Sequence, residues 1–228
     1  MVNLTRIYTR TGDDGTTGLG DFSRTSKTDP RLAAYADVNE ANAVIGVVLA
    51  TGDLTDDVRG ILTRVQNDLF DVGADLSTPL LENPEYPPLR VQAEWIDELE
   101  ADCDTQNAKL EKLRSFILPG GTVGAAHLHQ ATTVVRRAER TTWAAIEAHG
   151  TGVGTTKGEG GVNPTTAAYL NRLSDLLFIL ARVANLDAGG DVLWQPGGGR
   201  AQAPTKGGHK VDDTDTASGP DDPTTDDD

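Results

Sequence analysis

The sequence predicts an all-α fold, a five-helix antiparallel bundle. Three observations predict it: long apolar series at helical spacing, almost no strand signals after residue 20, and short or turn-rich connections. With 228 residues, the chain can bury a core as one domain without metal or disulfide support.

The five helices are expected in the following order. The first begins at Asp29-Pro30, an N-cap followed by a first-turn proline, and runs to about residue 50. The fourth begins soon after Gly121 and ends at His149-Gly150. The second and third helices are identified by their apolar stripes, which are Val58, Leu62, Val65, Leu69, Val72 and Leu76 for the second and Ile96, Leu99 and Cys103, within residues 91–108, for the shorter third. The stripe of the fourth helix is Leu128, Ala131, Val135, Ala138, Thr142 and Ala145. The stripe of the fifth is Leu170, Leu173, Leu177, Leu180 and Ala184.

One bundle domain is predicted over residues 1–196, with a flexible N-terminal segment at 1–28 and a disordered acidic tail at 197–228. Residues 201–228 contain eight Asp and almost no large aliphatic side chain, so burial there cannot offset the entropy of ordering. Residues 150–163 contain six glycines without apolar periodicity, which predicts a second flexible loop.

Charge and cysteine content exclude some classes of protein. The formal net charge of -15 argues against non-specific binding to nucleic acid or to an anionic membrane, because both need a positive surface. The lone Cys103 cannot form an internal disulfide, no leader precedes Thr5, and no apolar run approaches membrane-spanning length. We therefore expect a cytoplasmic protein.

Residues 7–20 concentrate four glycines and four threonines around Arg10. Glycines allow positive φ and let backbone N–H groups converge, so the stretch could cradle a phosphate. Asp14-Gly15 between extended residues is equally typical of a hairpin turn. On this segment alone, the two interpretations are about even.

The fourth helix carries a run of arginines, Arg136, Arg137 and Arg140, around Glu139. Arg136 and Arg140 share a helix face, and Glu139 is spaced to pair with Arg136. A solvated ion-pair face is the commoner explanation for such a run. In an acidic protein, however, three arginines beside an apolar stripe also suit a polyphosphate ligand.

Two further motifs are weak alone. Phe116 precedes a Pro-Gly-Gly turn, where core packing is the default but an exposed aromatic could hold a flat ligand. Asn171 lies on a helix flank, where simple solvent exposure is the default. His127 and His129 are two residues apart on a helix and cannot chelate one ion together, so no metal site is predicted.

Four stretches in fixed order carry a resemblance to a known family. They are Tyr8-Thr-Arg-Thr-Gly-Asp-Asp-Gly, Phe116-Ile-Leu-Pro-Gly-Gly, Arg136-Arg-Ala-Glu-Arg and Tyr169-Leu-Asn-Arg-Leu-Ser-Asp. Together they resemble the PduO-type ATP:cob(I)alamin adenosyltransferases over roughly residues 5–194. The resemblance implies a five-helix bundle that assembles as a homotrimer, with ATP bound between neighbouring subunits.

The resemblance also implies the site residues. The N-terminal loop would wrap ATP, and Lys27 would hold its phosphates. The arginine run, with Asn171 beside it, would complete the site from the adjacent subunit. Catalytic roles fall to Arg136, Arg140 and Phe116, the aromatic that packs near the corrin and displaces the lower axial ligand of cobalt. The implied ATP-binding residues are Thr9, Arg10, Thr11, Gly12, Asp13, Gly15, Thr17, Gly18, Lys27, Arg136, Arg137, Glu139, Arg140 and Asn171.

The implied reaction transfers the 5′-deoxyadenosyl group of ATP to cob(I)alamin, with Mg²⁺ assisting. A reductase and an adenosylcobalamin-dependent enzyme would be partners. The alternative is a non-catalytic relative that binds ATP or a corrinoid as a sensor or delivery protein. Asn39 and Thr132 motivate that alternative, because the family commonly has an Asp and an Arg there that form an intersubunit ion pair.

Overall fold

The computed structural model describes residues 8–198, and most of the predicted acidic tail lies outside them. Five helices and one short hairpin make up the regular structure of the described residues. The elements are β1 (Thr16–Gly18), β2 (Arg24–Ser26), α1 (Pro30–Thr51), α2 (Asp56–Leu76), α3 (Ala93–Asn107), α4 (Val123–His149) and α5 (Thr165–Val183), followed by a short 3₁₀ turn (Leu186–Ala188). The predicted all-α five-helix fold is confirmed.

The helices begin where local capping chemistry allows. The side chain of Asp29 accepts a hydrogen bond from Arg31 N at 2.8 Å, which satisfies a free N–H at the start of α1. Thr122 caps α4 in the same way, because its hydroxyl accepts from Ala125 N at 3.1 Å. Gly150 ends α4 with φ 69°, a backbone conformation that glycine adopts without strain.

Helices α1 and α4 run antiparallel. His149 at the end of α4 contacts Asp29 at the start of α1, while Thr141 contacts Asp37 about two turns further in. Contacts place α1 between α2 and α4, and α5 between α4 and α3. Asn42 and Gln66 exchange side-chain to backbone hydrogen bonds between α1 and α2.

The core consists of the predicted apolar stripes. Every predicted position of α2 is buried, as are those of α4, and Leu99 is the fully buried member of the α3 stripe. By length and composition alone, α1 could also cross a membrane, which differs from the sequence expectation. Its apolar residues pack in the bundle core, however, and a core helix passes the same test.

Residues 150–163 do not form the flexible loop that their glycines predict. Gly152 O accepts from Gly161 N at 2.8 Å, and Gly154 exchanges backbone hydrogen bonds with the segment around Leu80. A Cβ at Gly160 would overlap the carbonyl of Leu80. Gly154, Gly160 and Gly161 are therefore needed because backbone segments approach them closely, a requirement that the sequence does not reveal.

A buried arginine fastens this segment to the rest of the fold. The guanidinium of Arg31, at the start of α1, donates to the carbonyl oxygens of Leu76, Gly160 and Gly161 at 2.8–3.2 Å. Burial lowers the pKa of Arg31 and the nearby Asp29 opposes that shift. The compact unit of the chain extends to Trp194.

Candidate functional site

The glycine- and threonine-rich stretch folds into a two-stranded antiparallel hairpin, in which Thr16 faces Ser26 and Gly18 faces Arg24. Gly15 turns the chain with φ 83°, and its carbonyl accepts from Lys27 N at 2.9 Å. We refer to residues 9–28 as the N-terminal hairpin. Its geometry confirms the hairpin interpretation but leaves the phosphate cradle as a separate question, because hairpin donors can still bind an anion.

The hairpin brings several predicted site residues together. The ammonium of Lys27 lies over the backbone of Gly12, 3.1 Å from the point that a Cβ would occupy there. The hydroxyls of Thr9 and Thr11 are 2.9 Å apart. The predicted residues of this region with exposed side chains or backbone are Thr9, Arg10, Thr11, Asp13, Gly15, Gly18 and Lys27, whereas Gly12 and Thr17 are partly buried.

Arg24 is a member of this group that sequence reasoning missed. Its guanidinium donates to Thr11 O at 2.7 Å and also contacts the hydroxyl of Thr16. Asp14 lies 3.8 Å from the same group, and the Thr16 hydroxyl and backbone N–H hold the pKa of Asp14 below its usual value. Arg24 thus braces the turn from its exposed surface, and only the strand register could have identified it.

The hairpin is tied to the end of the bundle at which α1 begins. Asp29 accepts from the Thr25 hydroxyl at 2.7 Å, and Gly20 N donates to Ser77 O at 2.9 Å. Asp21 accepts from Gly158 N at 2.7 Å, which links the hairpin to the 150–163 segment. The hairpin is therefore held at its base, while Thr9, Arg10 and Thr11 at its start are exposed.

Arg136 and Arg140 lie on the exposed surface of α4. Neither forms a hydrogen bond or ion pair with another residue in the described part of the chain. The commoner explanation for the arginine run, an ion-pair face, therefore fails for these two. Unpaired guanidinium groups one helical turn apart are available to an anion.

Arg137 differs from its two neighbours. Its guanidinium donates to Asp37 at 3.2 Å and to Glu40, both on α1, and Asp37 also accepts from Thr141 at 3.0 Å. The contacts of this side chain join α4 to α1 within the chain. The sequence could not distinguish it from Arg136, because the acceptors lie far away along the chain.

Glu139 and Asn171 meet at the junction of α4 and α5. Asn171 Nδ2 donates to Glu139 Oε1 at 3.2 Å. This contact brings together two predicted residues from distant motifs and places them beside Arg136 and Arg140. Glu139 does not pair with Arg136, contrary to its helical spacing.

The hairpin and the arginines are not brought together within one chain. Arg140 lies nine residues before His149, which contacts the start of α1, so the two levels differ by about 13 Å along the α4 axis. No hydrogen bond or ion pair among residues 8–198 joins Arg136 or Arg140 to the hairpin. Within residues 8–198, the fold therefore shows no direct contact between these two groups of predicted residues.

Phe116 is 78% exposed and lies beside an apolar groove of about 670 Å³. The ring of Trp194 contacts it edge to face, at 6.0 Å between centroids and 71° between planes. Phe178 and Leu113 also line the groove. Core packing, the default interpretation of Phe116, is therefore wrong, and the aromatic partner Trp194 carried no sequence signal.

The two positions at which the chain departs from the family pattern are not in contact with each other within the chain. Thr132 is buried and its hydroxyl donates to Leu128 O at 2.9 Å, inside its own helix. Asn39 is exposed on α1. Because both side chains are neutral, they cannot form the ion pair that the family commonly has at these positions.

The two histidines considered as metal ligands differ in their surroundings. His129 is buried, its ring lies 6.0 Å from that of Phe178, and burial lowers its pKa, so it is neutral at physiological pH. His127 contacts Gln130 on the helix surface. Within residues 8–198, no cluster of three His, Cys, Asp or Glu side chains is placed to hold a metal ion.

Comparisons with known proteins agree on one family. A profile described as cobalamin adenosyltransferase matches residues 7–184. The corrinoid adenosyltransferase of Mycobacterium tuberculosis is 61% identical over 199 residues, which cover 87% of this chain and 97% of that protein. The corrinoid adenosyltransferase of Mycobacterium leprae is 58% identical over 200 residues, which cover 86% and 99%.

A solved structure extends the agreement to the fold. A variant of the PduO-type ATP:corrinoid adenosyltransferase from Lactobacillus reuteri, complexed with cobalamin and ATP, matches with a TM-score of 0.72 and 32% identity. The match covers 83% of this chain and 97% of that one. The resemblance seen in the four ordered motifs is confirmed, and the chain belongs to the cobalamin adenosyltransferase family.

Proposed function

We propose that this protein transfers the 5′-deoxyadenosyl group of ATP to cob(I)alamin, giving adenosylcobalamin and triphosphate. The observation that carries the proposal is the 61% identity to a corrinoid adenosyltransferase over 87% of the chain. The solved relative was captured with both cobalamin and ATP. Exposed cations and an exposed aromatic groove in this chain fit those two ligands.

ATP is assigned to the N-terminal hairpin of one protomer and to α4 of its neighbour. Exposed Thr9, Arg10 and Thr11 provide donors for the nucleotide, and Lys27 provides a cation over Gly12 for the phosphates. The separation of the hairpin from Arg136 and Arg140 within one chain supports completion by a second copy. We therefore propose a homotrimer, as the resemblance implies.

Arg136 and Arg140 are assigned to the triphosphate. Because no carboxylate in the described chain neutralises them, their charge is available to the leaving group as the C–O bond breaks. Glu139 and Asn171 orient each other beside them. Arg137 supports this face from behind, since its ion pairs hold α4 against α1.

Cobalamin is assigned to the groove beside Phe116. The groove is apolar and open, which suits a large flat macrocycle, and an exposed ring can exclude a polar lower ligand from cobalt. Loss of that ligand favours reduction of Co(II), so keeping this surface apolar has a redox purpose.

The reaction needs little acid or base chemistry from the protein. Cobalt of cob(I)alamin donates an electron pair to the 5′ carbon of the ribose, and the bond to the triphosphate oxygen breaks with its electrons on the leaving group. The protein aligns the two reactants, an effect that can reach about 7–11 kcal/mol. Preorganised arginines stabilise the charge that develops on triphosphate.

Mg²⁺ is proposed as a ligand of the triphosphate rather than of a protein cage. The described chain offers no cluster of three suitable side chains, and Mg²⁺ commonly binds substrate phosphates with one or two carboxylates. Cytoplasmic location, a reductase that supplies electrons and an enzyme that receives adenosylcobalamin complete the proposal.

The test is an anaerobic assay with chemically reduced cobalamin, ATP and Mg²⁺. We expect the adenosylcobalamin spectrum to appear together with one triphosphate per product. Measurable ATP binding without that spectrum would favour the non-catalytic sensor or delivery protein. A supporting experiment is proteolysis of the N-terminal hairpin, from which we expect ATP-dependent protection.

A further inference from the structure

A buried polar cluster at the end of α5 lies behind the Phe116 groove. Arg182 Nε donates to Asp191 Oδ2 at 2.8 Å, and the two side chains are only 8% and 11% exposed. Arg182 also donates to Glu111 O at 2.9 Å. This pair therefore ties the chain after α5 to the segment that leads into Phe116.

Asn185 fixes the turn that follows Phe116. Its buried side chain donates to Gly120 O at 3.1 Å and accepts from Thr122 N at 2.9 Å, at the start of α4. A Cβ at Gly121 would overlap Asn185, and Gly121 has φ 103°. The Pro-Gly-Gly turn therefore takes its shape around this one amide.

Asp191 fixes the other side of the loop, because the chain beyond it pairs with the Phe116 segment. Leu118 N donates to Val192 O and Trp194 N donates to Phe116 O, both at 2.8 Å. The Trp194 ring then rests on the Phe116 ring. Phe116 is thus held from one side by Asn185 and from the other by Asp191, although neither touches its ring.

We propose that Arg182, Asn185 and Asp191 are positioning residues, which hold the Phe116 ring at the groove by fixing the two backbone segments around it. The proposal rests on the proposed function, in which that ring meets cobalamin. An exposed ring on an unsupported loop would have to be ordered each time cobalamin binds, and a preorganised loop avoids that cost.

The test compares Asp191→Asn with Asp102→Asn as a matched control. Asp102 forms an ion pair with Arg64 between α2 and α3, away from both the groove and the hairpin. For Asp191→Asn we expect kcat/KM for cobalamin to fall about tenfold to a hundredfold. KM for ATP should stay unchanged, and Asp102→Asn should match the unaltered protein in both parameters.

A double-mutant cycle separates positioning from general damage. Since Asp191 acts only through Phe116, Asp191→Asn should add little to the loss that Phe116→Ala causes by itself. The visible spectrum of bound cob(II)alamin should likewise show less of the form without a lower ligand in Asp191→Asn. Arg182→Lys, which keeps the charge but not the forked donors, provides the same comparison if Asp191→Asn does not fold.

Additive losses in the cycle, or a rise in KM for ATP equal to that for cobalamin, would overturn the positioning role. An unaltered protein that makes no adenosylcobalamin would instead overturn the proposed function. The two failures are therefore distinguishable.

Discussion

Two regions of the molecule use charged side chains in opposite ways. At the junction where α1 begins, Arg31 and Asp75 are buried and have hydrogen-bond partners. On the outward surface of α4, Arg136 and Arg140 are exposed and have none within the described residues. The comparison indicates that charge satisfied by the fold supports structure, while charge left unsatisfied at the surface is available to a ligand.

At the junction where α1 begins, the buried carboxylate of Asp75 has several hydrogen-bond donors. Asp75 accepts from Arg90 at 2.5 Å, from Val91 N at 2.8 Å and from Asn163 at 2.7 Å. A buried carboxylate without such partners would cost several kcal/mol. These contacts hold the 79–92 and 150–163 segments together, and the hairpin rests on that base.

The largest expected effect comes from removing an arginine that has no partner in the fold. Arg136→Ala or Arg140→Ala should lower the rate of adenosylcobalamin formation about a hundredfold to a thousandfold, because charge on triphosphate loses a preorganised partner. Thermal unfolding should be unchanged, since neither side chain has a partner in the fold. Arg137→Ala is the matched control, with a lower Tm and a smaller loss of rate. Equal effects of all three would mean that α4 presents no triphosphate site.

Removing an arginine whose charge is satisfied within the fold should instead lower stability. Arg31→Ala leaves the buried carbonyl groups of Leu76 and Gly160 without a donor and removes one of the two donors to Gly161 O, so it should lower the free energy of unfolding by about 3 kcal/mol. Urea unfolding measures this directly. Arg136→Ala serves as the control, and the comparison fails if both variants unfold at the same urea concentration.

A single methyl group tests the close approach of backbones at the junction. Gly160→Ala should destabilise the protein by about 2 kcal/mol, because the added carbon meets the Leu80 carbonyl. Gly152→Ala in the same segment is the control, since nothing lies within 4 Å of the added carbon there. Equal melting temperatures for the two variants would contradict the packing described for residues 150–163.

The smallest effect concerns pH at the start of α1. Burial raises the pKa of Asp29, but hydrogen bonds from Thr25, Arg31 N and His149 outweigh it, so the pKa lies below its usual value. Stability from a depressed carboxyl pKa is present above the unfolded-state pKa of about 4 and is lost as the pH falls through the folded-state value. At neutral pH the free energy of unfolding of the unaltered protein should exceed that of Asp29→Asn by about 1 kcal/mol, because hydrogen bonds to a charged acceptor are stronger than those to a neutral amide. That gap should close below about pH 4 in unfolding experiments, and a gap independent of pH would exclude the assignment.

Local patterns could predict the helices and part of the site. The apolar stripes of α2, α4 and α5 and the Asp29 cap depend on residues within one or two helical turns, so they could be identified without the fold. The same local information could not separate Arg137 from Arg136. It also missed Trp194, whose contact with Phe116 depends on two segments that meet only after folding.

By itself, the sequence determined the five helices, the faces that they bury and the family, because periodicity, caps and ordered motifs are properties of the chain alone. Only the tertiary structure decided which charges are satisfied. Arg137 finds Asp37 at a separation of 100 residues, and Arg31 finds Gly160 at 129. Hydrogen-bond partners at such separations are set by packing, which is why the structural and the available arginines could be distinguished only in the folded protein.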